Sequence, residues 1–233
     1  MDLSDERIRD AVRNTKILRP PKQSLATFGT TNIYYYLLTE PVYKDMVEDA
    51  GETVIREGRV IAQKPKVVTP YYLSQLEGFS SEARRYLEML TSKQNPNVTG
   101  LFYSYRNEPK ELNIVSDGLL AVVDKLNSEI DERGEPLTSI IKGEDDLWDV
   151  SLMQFIYEIT GSSVQNNLRQ MGARGLLNID SSGIPADARV KIEELFRMAY
   201  VGECEPRELK DELDRWGLFE DYEDRFLALF KKR

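Results

Sequence analysis

The sequence of 233 residues contains no histidine. Without an imidazole, Ser-His-Asp and Cys-His nucleophilic catalysis, histidine general bases and all histidine-containing metal sites are excluded. Any catalytic chemistry is therefore restricted to carboxylates, lysine, tyrosine or the one cysteine, Cys204.

Cysteine and long hydrophobic runs are also scarce. One cysteine cannot form an intramolecular disulfide, and the first ten residues, MDLSDERIRD, carry charges where a secretory signal peptide needs an apolar stretch. No segment approaches the roughly 20 apolar residues that span a bilayer. We therefore expect a soluble, cytoplasmic protein that does not enter a membrane.

Basic residues are fewer than acidic ones. The chain has 31 lysines and arginines and 40 aspartates and glutamates, and its formal net charge is -9. A polyanion is bound mainly by Lys and Arg, so this balance disfavours nucleic acid and anionic membranes as partners. The sequence also lacks a Walker loop, a GxGxxG turn, the kinase motifs and a CxxC pair, and we predict no cofactor.

The first 145 residues have the pattern of an α+β domain. Strand-forming residues predict a mixed or antiparallel sheet of hairpins from the runs SLATF, NIYYYLL, TVIREGRVIA, GLFYSYR, ELNIVS and LTSIIKG. The turns between them are expected at 29–31, 57–58 and 107–110. Helices that pack with this sheet are expected at 3–13, 42–50, 70–92 and 117–133.

Residues 146–233 are expected to form a separate all-helical domain. No convincing strand follows Gly143, and apolar residues recur at helical spacing. The expected helices are 147–160, 163–175, 185–201 and 206–231, the last with a break at Gly217.

Two of these helices suggest DNA binding. In the segment 152–180, a turn at Gly161 between two helices matches the arrangement of a helix-turn-helix. The second helix would offer amides and a guanidinium to base edges from Gln165, Asn166, Arg169 and Gln170. GARGLLNID also resembles the helix-to-wing passage of winged-helix regulators, which implies a DNA-binding transcriptional regulator. A helical hairpin without DNA binding is the favoured alternative, since the net charge opposes DNA.

The acidic segment GEDDLWD, at 143–149, suggests a second function. Carboxylates at this spacing can hold Mg²⁺ or act as acid and base without histidine. The candidate residues are Glu144, Asp145 and Asp149. A structural role is the favoured alternative, because an aspartate here can cap a helix while the ring of Trp148 is buried. The segment lacks the spacing of an EF-hand loop, and no metal site is predicted.

Tyrosine is concentrated in the runs IYYYLL, PYYL and FYSYR. Alternation in the first and last would place aromatic rings on both faces of the sheet. Exposed rings near basic residues can stack bases or line a ligand pocket; those residues are Arg59, Lys64, Lys66 and Arg106. Ordinary packing of strand tyrosines is the favoured interpretation.

The C-terminal helix carries more large apolar side chains than one buried face needs. The surplus predicts a surface that docks on a second copy or on a partner protein, with packing inside the domain as the alternative. The candidate residues are Trp216, Phe219, Tyr222, Phe226 and Phe230.

Because catalytic motifs are lacking and this apolar surplus is present, the leading hypothesis is a non-catalytic interaction or regulatory protein. Its helical C-terminal part would serve self-association or the binding of a protein partner. A DNA-binding regulator and a carboxylate- or Mg²⁺-dependent enzyme are the alternatives.

Overall fold

The computed structural model describes residues 3–41, 51–68, 76–77, 80–82, 85, 89, 100–178, 180 and 184–230. The helix expected at 42–50 and most of the one expected at 70–92 lie outside the described residues. The described helices and strands are, in chain order, α1 (Leu3–Asn14), β1 (Lys16–Arg19), β2 (Thr31–Thr39), β3 (Thr53–Ala62), β4 (Lys66–Val68), β5 (Leu76–Glu77), β6 (Gly100–Phe102), β7 (Tyr105–Val115), α2 (Leu119–Arg133), β8 (Thr138–Lys142), α3 (Trp148–Ala173), α4 (Ala186–Val201), α5 (Pro206–Arg215) and α6 (Phe219–Ala228).

The fold class is α+β, as predicted, with the sheet in the N-terminal part and most helices towards the C-terminus. The chain divides into two compact units. The first unit comprises Met1–Pro65 and Thr69–Asn167, and the second comprises Lys66–Val68 and Leu168–Arg233. The division into separate domains at residues 145 and 146 stays a prediction.

The first unit is built on a six-stranded mixed sheet in the order β1-β8-β2-β3-β7-β5. β3 is antiparallel to both β2 and β7, whereas β8 is parallel to β2. Helix α2 connects β7 to β8, as parallel strands require a long connection. The strands expected at NIYYYLL and LTSIIKG and the helices expected at 3–13 and 117–133 are therefore confirmed.

The three expected hairpin turns are wrong. Residues 25–28 form no strand ahead of β2, and β3 and β7 each run unbroken through the turns expected at 57–58 and 107–110. Glu57 pairs with Glu111 while Gly58 pairs with Pro109, so one extra residue of β7 forms a bulge. Since proline has no N–H for the ladder, a bulge is where a strand tolerates it.

Helices pack on both faces of the central strands. On one face, Ile33, Tyr35 and Leu37 of β2 lie in a core shared with α1 and α3. On the other face, Leu38 of β2 and Ile140 of β8 pack against the apolar side of α2. The alternation expected for the tyrosine-rich strand is confirmed, because Tyr35 is buried while Tyr34, on the opposite face, is 38% exposed.

Helix α3 is one continuous helix of 26 residues. The prediction of two helices, 147–160 and 163–175, is wrong, and so is the turn of the helix-turn-helix expected over 152–180. Contacts on both sides of Gly161 explain the continuity: Ile159 lies in the apolar core, and Ser163 accepts a hydrogen bond from the backbone N–H of Leu25 at 3.0 Å. Among the described helices, none combines the length and the apolarity that crossing a membrane requires.

The second unit contains α4, α5 and α6 around a core that includes Ile192, Leu209 and Phe226. The helix expected at 185–201 is confirmed, and α5 begins at residue 206, where the last expected helix begins. The break expected at Gly217 is also confirmed: this residue has a φ of 64° and separates α5 from α6. Glycine adopts such a φ without the steric cost that a Cβ brings.

Candidate functional site

The acidic segment 143–149 follows β8 at one edge of the sheet. Leu38 of β2 pairs with Lys142 of β8, and the backbone N–H of Gly143 donates to the carbonyl oxygen of Leu38 at 3.0 Å. The carboxyl ends of these two parallel strands therefore meet where the acidic segment begins. In α/β sheets this is the edge at which ligands commonly bind.

Gly143 allows the segment to pass close to α3. A Cβ placed on Gly143 would lie 2.4 Å from the Oγ of Ser151. The same Oγ accepts a hydrogen bond from the backbone N–H of Glu144 at 3.4 Å and one from the hydroxyl of Thr15 at 2.8 Å. The absence of a side chain at 143 thus fixes how the carboxylates that follow are placed.

Asp145 is held in a small polar network with Thr39 and Arg56. The Thr39 hydroxyl donates to an Oδ1 of Asp145 at 2.6 Å, and the Arg56 guanidinium is 2.8 Å from that oxygen. Arg56 also donates to the Thr39 hydroxyl at 2.9 Å and lies 5.8 Å from the ring centre of Trp148. The side chains of Arg56 and Asp145 are only 15% and 20% exposed. Asp145 therefore has a fixed cationic partner inside the protein.

The other carboxylates of the segment point to separate partners. Glu144 accepts from the side-chain amide of Asn14 at 2.8 Å, and Asp146 pairs with Arg7 at 2.5 Å. Asp149 is 8% exposed and accepts from the backbone N–H of Ser80 at 3.0 Å. No group of three or more acidic or cysteine side chains that could hold a metal ion occurs among the residues described.

Because Glu144, Asp145 and Asp149 each bind a different element, they do not form one shared centre. Their contacts hold the start of α3 against α1, β2 and β3. A cavity of about 320 Å³ lies beside Asp146, Trp148 and Asp149. Its volume is at the lower end of the range for small-molecule sites.

The residues expected to contact DNA lie on α3 without the turn that a helix-turn-helix needs. Gln165, Arg169 and Gln170 are exposed and Asn166 is half-buried. Since the helix is continuous, there is no separate recognition helix with a free N-terminus to enter a major groove. The geometry therefore does not support the helix-turn-helix interpretation.

The basic residues expected beside the tyrosine-rich strands are partly neutralised. Arg59 donates through Nε to Glu108 at 3.0 Å, and Arg106 pairs with the same carboxylate at 2.7 Å. The hydrogen bond from Arg59 lowers the pKa of Glu108, which stays charged. Two of the four basic residues, Arg59 and Arg106, therefore share one carboxylate.

Four of the five C-terminal aromatic residues pack within the second unit. Phe226 is 7% exposed, and Phe219 meets its ring edge-on at a centre distance of 5.5 Å. Tyr222 stacks on Phe196 at 5.6 Å, and Trp216 donates through its indole N–H to Glu212 at 3.3 Å. Packing thus accounts for most of the surplus that the sequence shows.

An ion pair holds α6 on α4 within this unit. Arg225 makes two bonds to the carboxylate of Glu193, at 2.7 and 2.8 Å, and lies 4.0 Å from the ring centre of Phe196. The hydrogen bonds from Arg225 lower the pKa of Glu193. This two-point contact fixes which side of α6 faces away from the core.

The side of α6 that faces away is acidic and apolar. Phe230 is 50% exposed and Leu227 is 45% exposed. Leu227 lies in α6 and Phe230 just past its end, and the helix carries four exposed carboxylates before them, Glu220, Asp221, Glu223 and Asp224. We call these six residues the α6 surface.

No protein-family model, curated protein or solved structure matches this chain. Its function is therefore inferred from its own residues.

Sequence reasoning missed Arg56, Thr39 and Leu227. Arg56 and Thr39 are far from Asp145 in the chain and only the pairing of β2 with β3 and β8 brings them together. Leu227 could have been predicted from the sequence, because in the helix expected at 206–231 it would lie on the same side as Phe230, three residues later.

Proposed function

We propose that this chain is a non-catalytic interaction protein whose second unit binds a partner protein through the α6 surface. The partner segment that fits is basic and amphipathic, with lysine or arginine on one side and large apolar residues on the other. The observation that supports this most directly is the exposure of Phe230 and Leu227 beside a row of carboxylates.

The apolar part of the surface lies at the end of α6. The backbone N–H of Phe230, just past the helix, donates to the carbonyl oxygen of Leu227 at 3.2 Å, and the Phe230 ring meets that of Phe226 at 5.5 Å. Phe230 is thus held at its base by the core while half of its surface stays in contact with solvent. Anchored aromatic residues of this kind contribute strongly to protein interfaces.

The carboxylates of the α6 surface favour a basic partner. Glu220, Asp221, Glu223 and Asp224 form no ion pair with any residue that the structure describes. Glu220 and Asp221 lie in the first turn, where they favour the helix dipole, but Glu223 and Asp224 lie beyond it. A basic partner would complement all four, whereas a second copy on the same surface would bring like charges together.

A labelled amphipathic peptide of lysine and leucine tests the proposal by fluorescence anisotropy. Phe230→Asp combined with Leu227→Asp should weaken binding at least tenfold. Leu120→Asp, at a 78% exposed position on α2, is the matched control and should leave binding unchanged. Binding should weaken as salt is raised, because the charges are exposed.

Two further probes distinguish this surface from nonspecific attraction. A peptide with serine in place of leucine and one with glutamate in place of lysine should both bind much more weakly. Equal binding of the lysine-leucine peptide to the α6 variant and to the Leu120→Asp control would contradict the proposal. Sedimentation that shows a dimer dependent on Phe230 would favour self-association instead.

A further inference from the structure

A second cavity in the first unit, of about 500 Å³, opens between the loop that follows β1 and the amino ends of β2 and β8. Its volume falls in the range of small-molecule sites. The side chains that matter for its chemistry are Gln23, Ser24, Asn32, Tyr34, Glu135 and Thr138.

The walls of this cavity are fixed by backbone hydrogen bonds. The N–H of Lys22 donates to the carbonyl oxygen of Pro136 at 2.8 Å, and that of Tyr34 donates to Leu137 at 2.9 Å. The N–H of Ala26 donates to the Thr31 hydroxyl at 2.9 Å. A ligand would therefore meet walls that are already in place, which reduces the entropy lost on binding.

Neutral polar groups dominate the opening. Gln23, Ser24 and Asn32 are exposed, and their side chains make no hydrogen bond within the described part of the chain. Together they offer two amides and a hydroxyl, each able to both donate and accept. These groups suit a ligand with several hydroxyls.

Tyr34 supplies an aromatic ring at the same opening. The ring is 38% exposed, so one of its faces is open to a ligand at this opening. Among the described residues that line the cavity, Glu135 is the one acid, and it accepts from the Thr138 hydroxyl at 3.0 Å. None of these lining residues is a lysine or an arginine.

We propose that this cavity binds a neutral, polyhydroxylated ligand, namely a mono- or disaccharide. The C–H face of a sugar ring can lie on Tyr34 while its hydroxyls exchange hydrogen bonds with Asn32, Gln23 and Ser24. A phosphorylated ligand is disfavoured because its charge would find no cation in the lining. The site is in the first unit and does not depend on the α6 surface or its partner.

The experiment is isothermal titration of the whole chain with glucose, galactose, mannose, N-acetylglucosamine, maltose and cellobiose. At least one should bind with a dissociation constant below 50 mM, on the order of the weak affinities expected of so few hydrogen bonds. Tyr34→Ala should abolish measurable binding, and Asn32→Ala should weaken it about fivefold, the effect of one neutral hydrogen bond. Tyr34→Phe should retain binding because it keeps the ring.

Tyr157→Ala, which removes a 43% exposed tyrosine from α3, is the matched control and should bind like the parent. Tyr34 and Asn32 are exposed, so their variants should keep the parent's circular dichroism and melting temperature. Failure of all six sugars to bind would overturn the proposal. So would binding that survives Tyr34→Ala, or preferential binding of inorganic phosphate.

Discussion

The two units bury their polar groups in different ways. Besides the carboxylate of Asp149, the first unit buries tyrosine hydroxyls in neutral pairs: the Tyr35 hydroxyl lies 3.0 Å from the side-chain oxygen of Asn107, and Tyr103 lies 3.0 Å from the amide of Asn167. In the second unit, carboxylates hold strand β4. Asp187 accepts from the backbone N–H of Val67 at 3.0 Å.

A buried tyrosine makes the stability of the fold depend on pH. A neutral tyrosine avoids the cost of a buried charge at ordinary pH, but high pH favours the ionised form, which is costly to bury and so destabilises the folded state. The described tyrosines of the second unit, Tyr200 and Tyr222, are not buried. The two units should therefore respond differently to alkaline pH.

Alkaline pH should have the largest effect, and it should act on the first unit. Burial raises the pKa of Tyr35 and of Tyr103 to about 12 and also raises the pKa of Tyr105. The ordinary value is about 10. Because the folded-state pKa lies above the unfolded-state value, the stabilisation is complete below about pH 10 and is lost as the pH rises through about 12.

The two tryptophans allow each unit to be followed alone, since Trp148 belongs to the first unit and Trp216 to the second. In Trp216→Phe, the emission of Trp148 should shift to the red between pH 10 and 12, together with a late rise in tyrosinate absorbance. In Trp148→Phe, the emission of Trp216 should shift at higher pH. Simultaneous titration of all tyrosines near pH 10 would contradict this.

The next largest effect should come from Gly58→Ala. A Cβ at this position would lie 2.3 Å from the hydroxyl oxygen of Tyr35 and 2.5 Å from its Cζ. Such overpacking typically costs about 1–3 kcal/mol. Urea unfolding followed by Trp148 should show the loss, while the signal of Trp216 should not move.

Gly100→Ala is the control for that change, because a Cβ there would meet nothing within 4 Å. It should be neutral or slightly stabilising, since alanine loses less backbone entropy on folding than glycine. Equal stability of Gly58→Ala and the parent would mean that Tyr35 does not occupy the space above Gly58.

The same glycine shows where sequence reasoning succeeds and fails. The runs with strong alternation or helical stripes gave the right element types for β2, β8, α1, α2 and α4, because local pattern and burial agree there. Gly58 and Pro109 are turn formers in short sequences, and they predicted two hairpins. Here they face each other across β3 and β7, and this pairing is decided by residues about 50 positions apart.

The candidate sites follow the same rule. The acidic segment could be located from its composition, but the partners of its carboxylates, such as Arg56 for Asp145, come from distant strands. Likewise, a helical stripe does not show which of the C-terminal aromatic residues are covered. Phe226 is buried and Phe230 is half exposed, and the side of α6 that meets α4 is set by contacts such as the pair of Arg225 with Glu193.

The smallest change in folding stability should come from Gly161→Ala. Whether it is a gain or a loss distinguishes a continuous α3 from two helices joined by a turn at Gly161. Gly161 lies inside the continuous helix with open space around its Cα, so a Cβ there would contact nothing within 4 Å. Alanine is favoured over glycine in a helix interior by about 0.5–1 kcal/mol, and the melting temperature should rise by about 1–4 °C.

A turn at Gly161, as in a helix-turn-helix, would give the opposite sign wherever the turn used a φ that alanine avoids. Gly172→Ala is a comparison in the same helix, where a Cβ would make an ordinary contact of 3.6 Å with Leu177. Calorimetry of the two variants should show a gain in both. A loss confined to Gly161→Ala would mean that α3 is interrupted there and would restore the two-helix description of this segment.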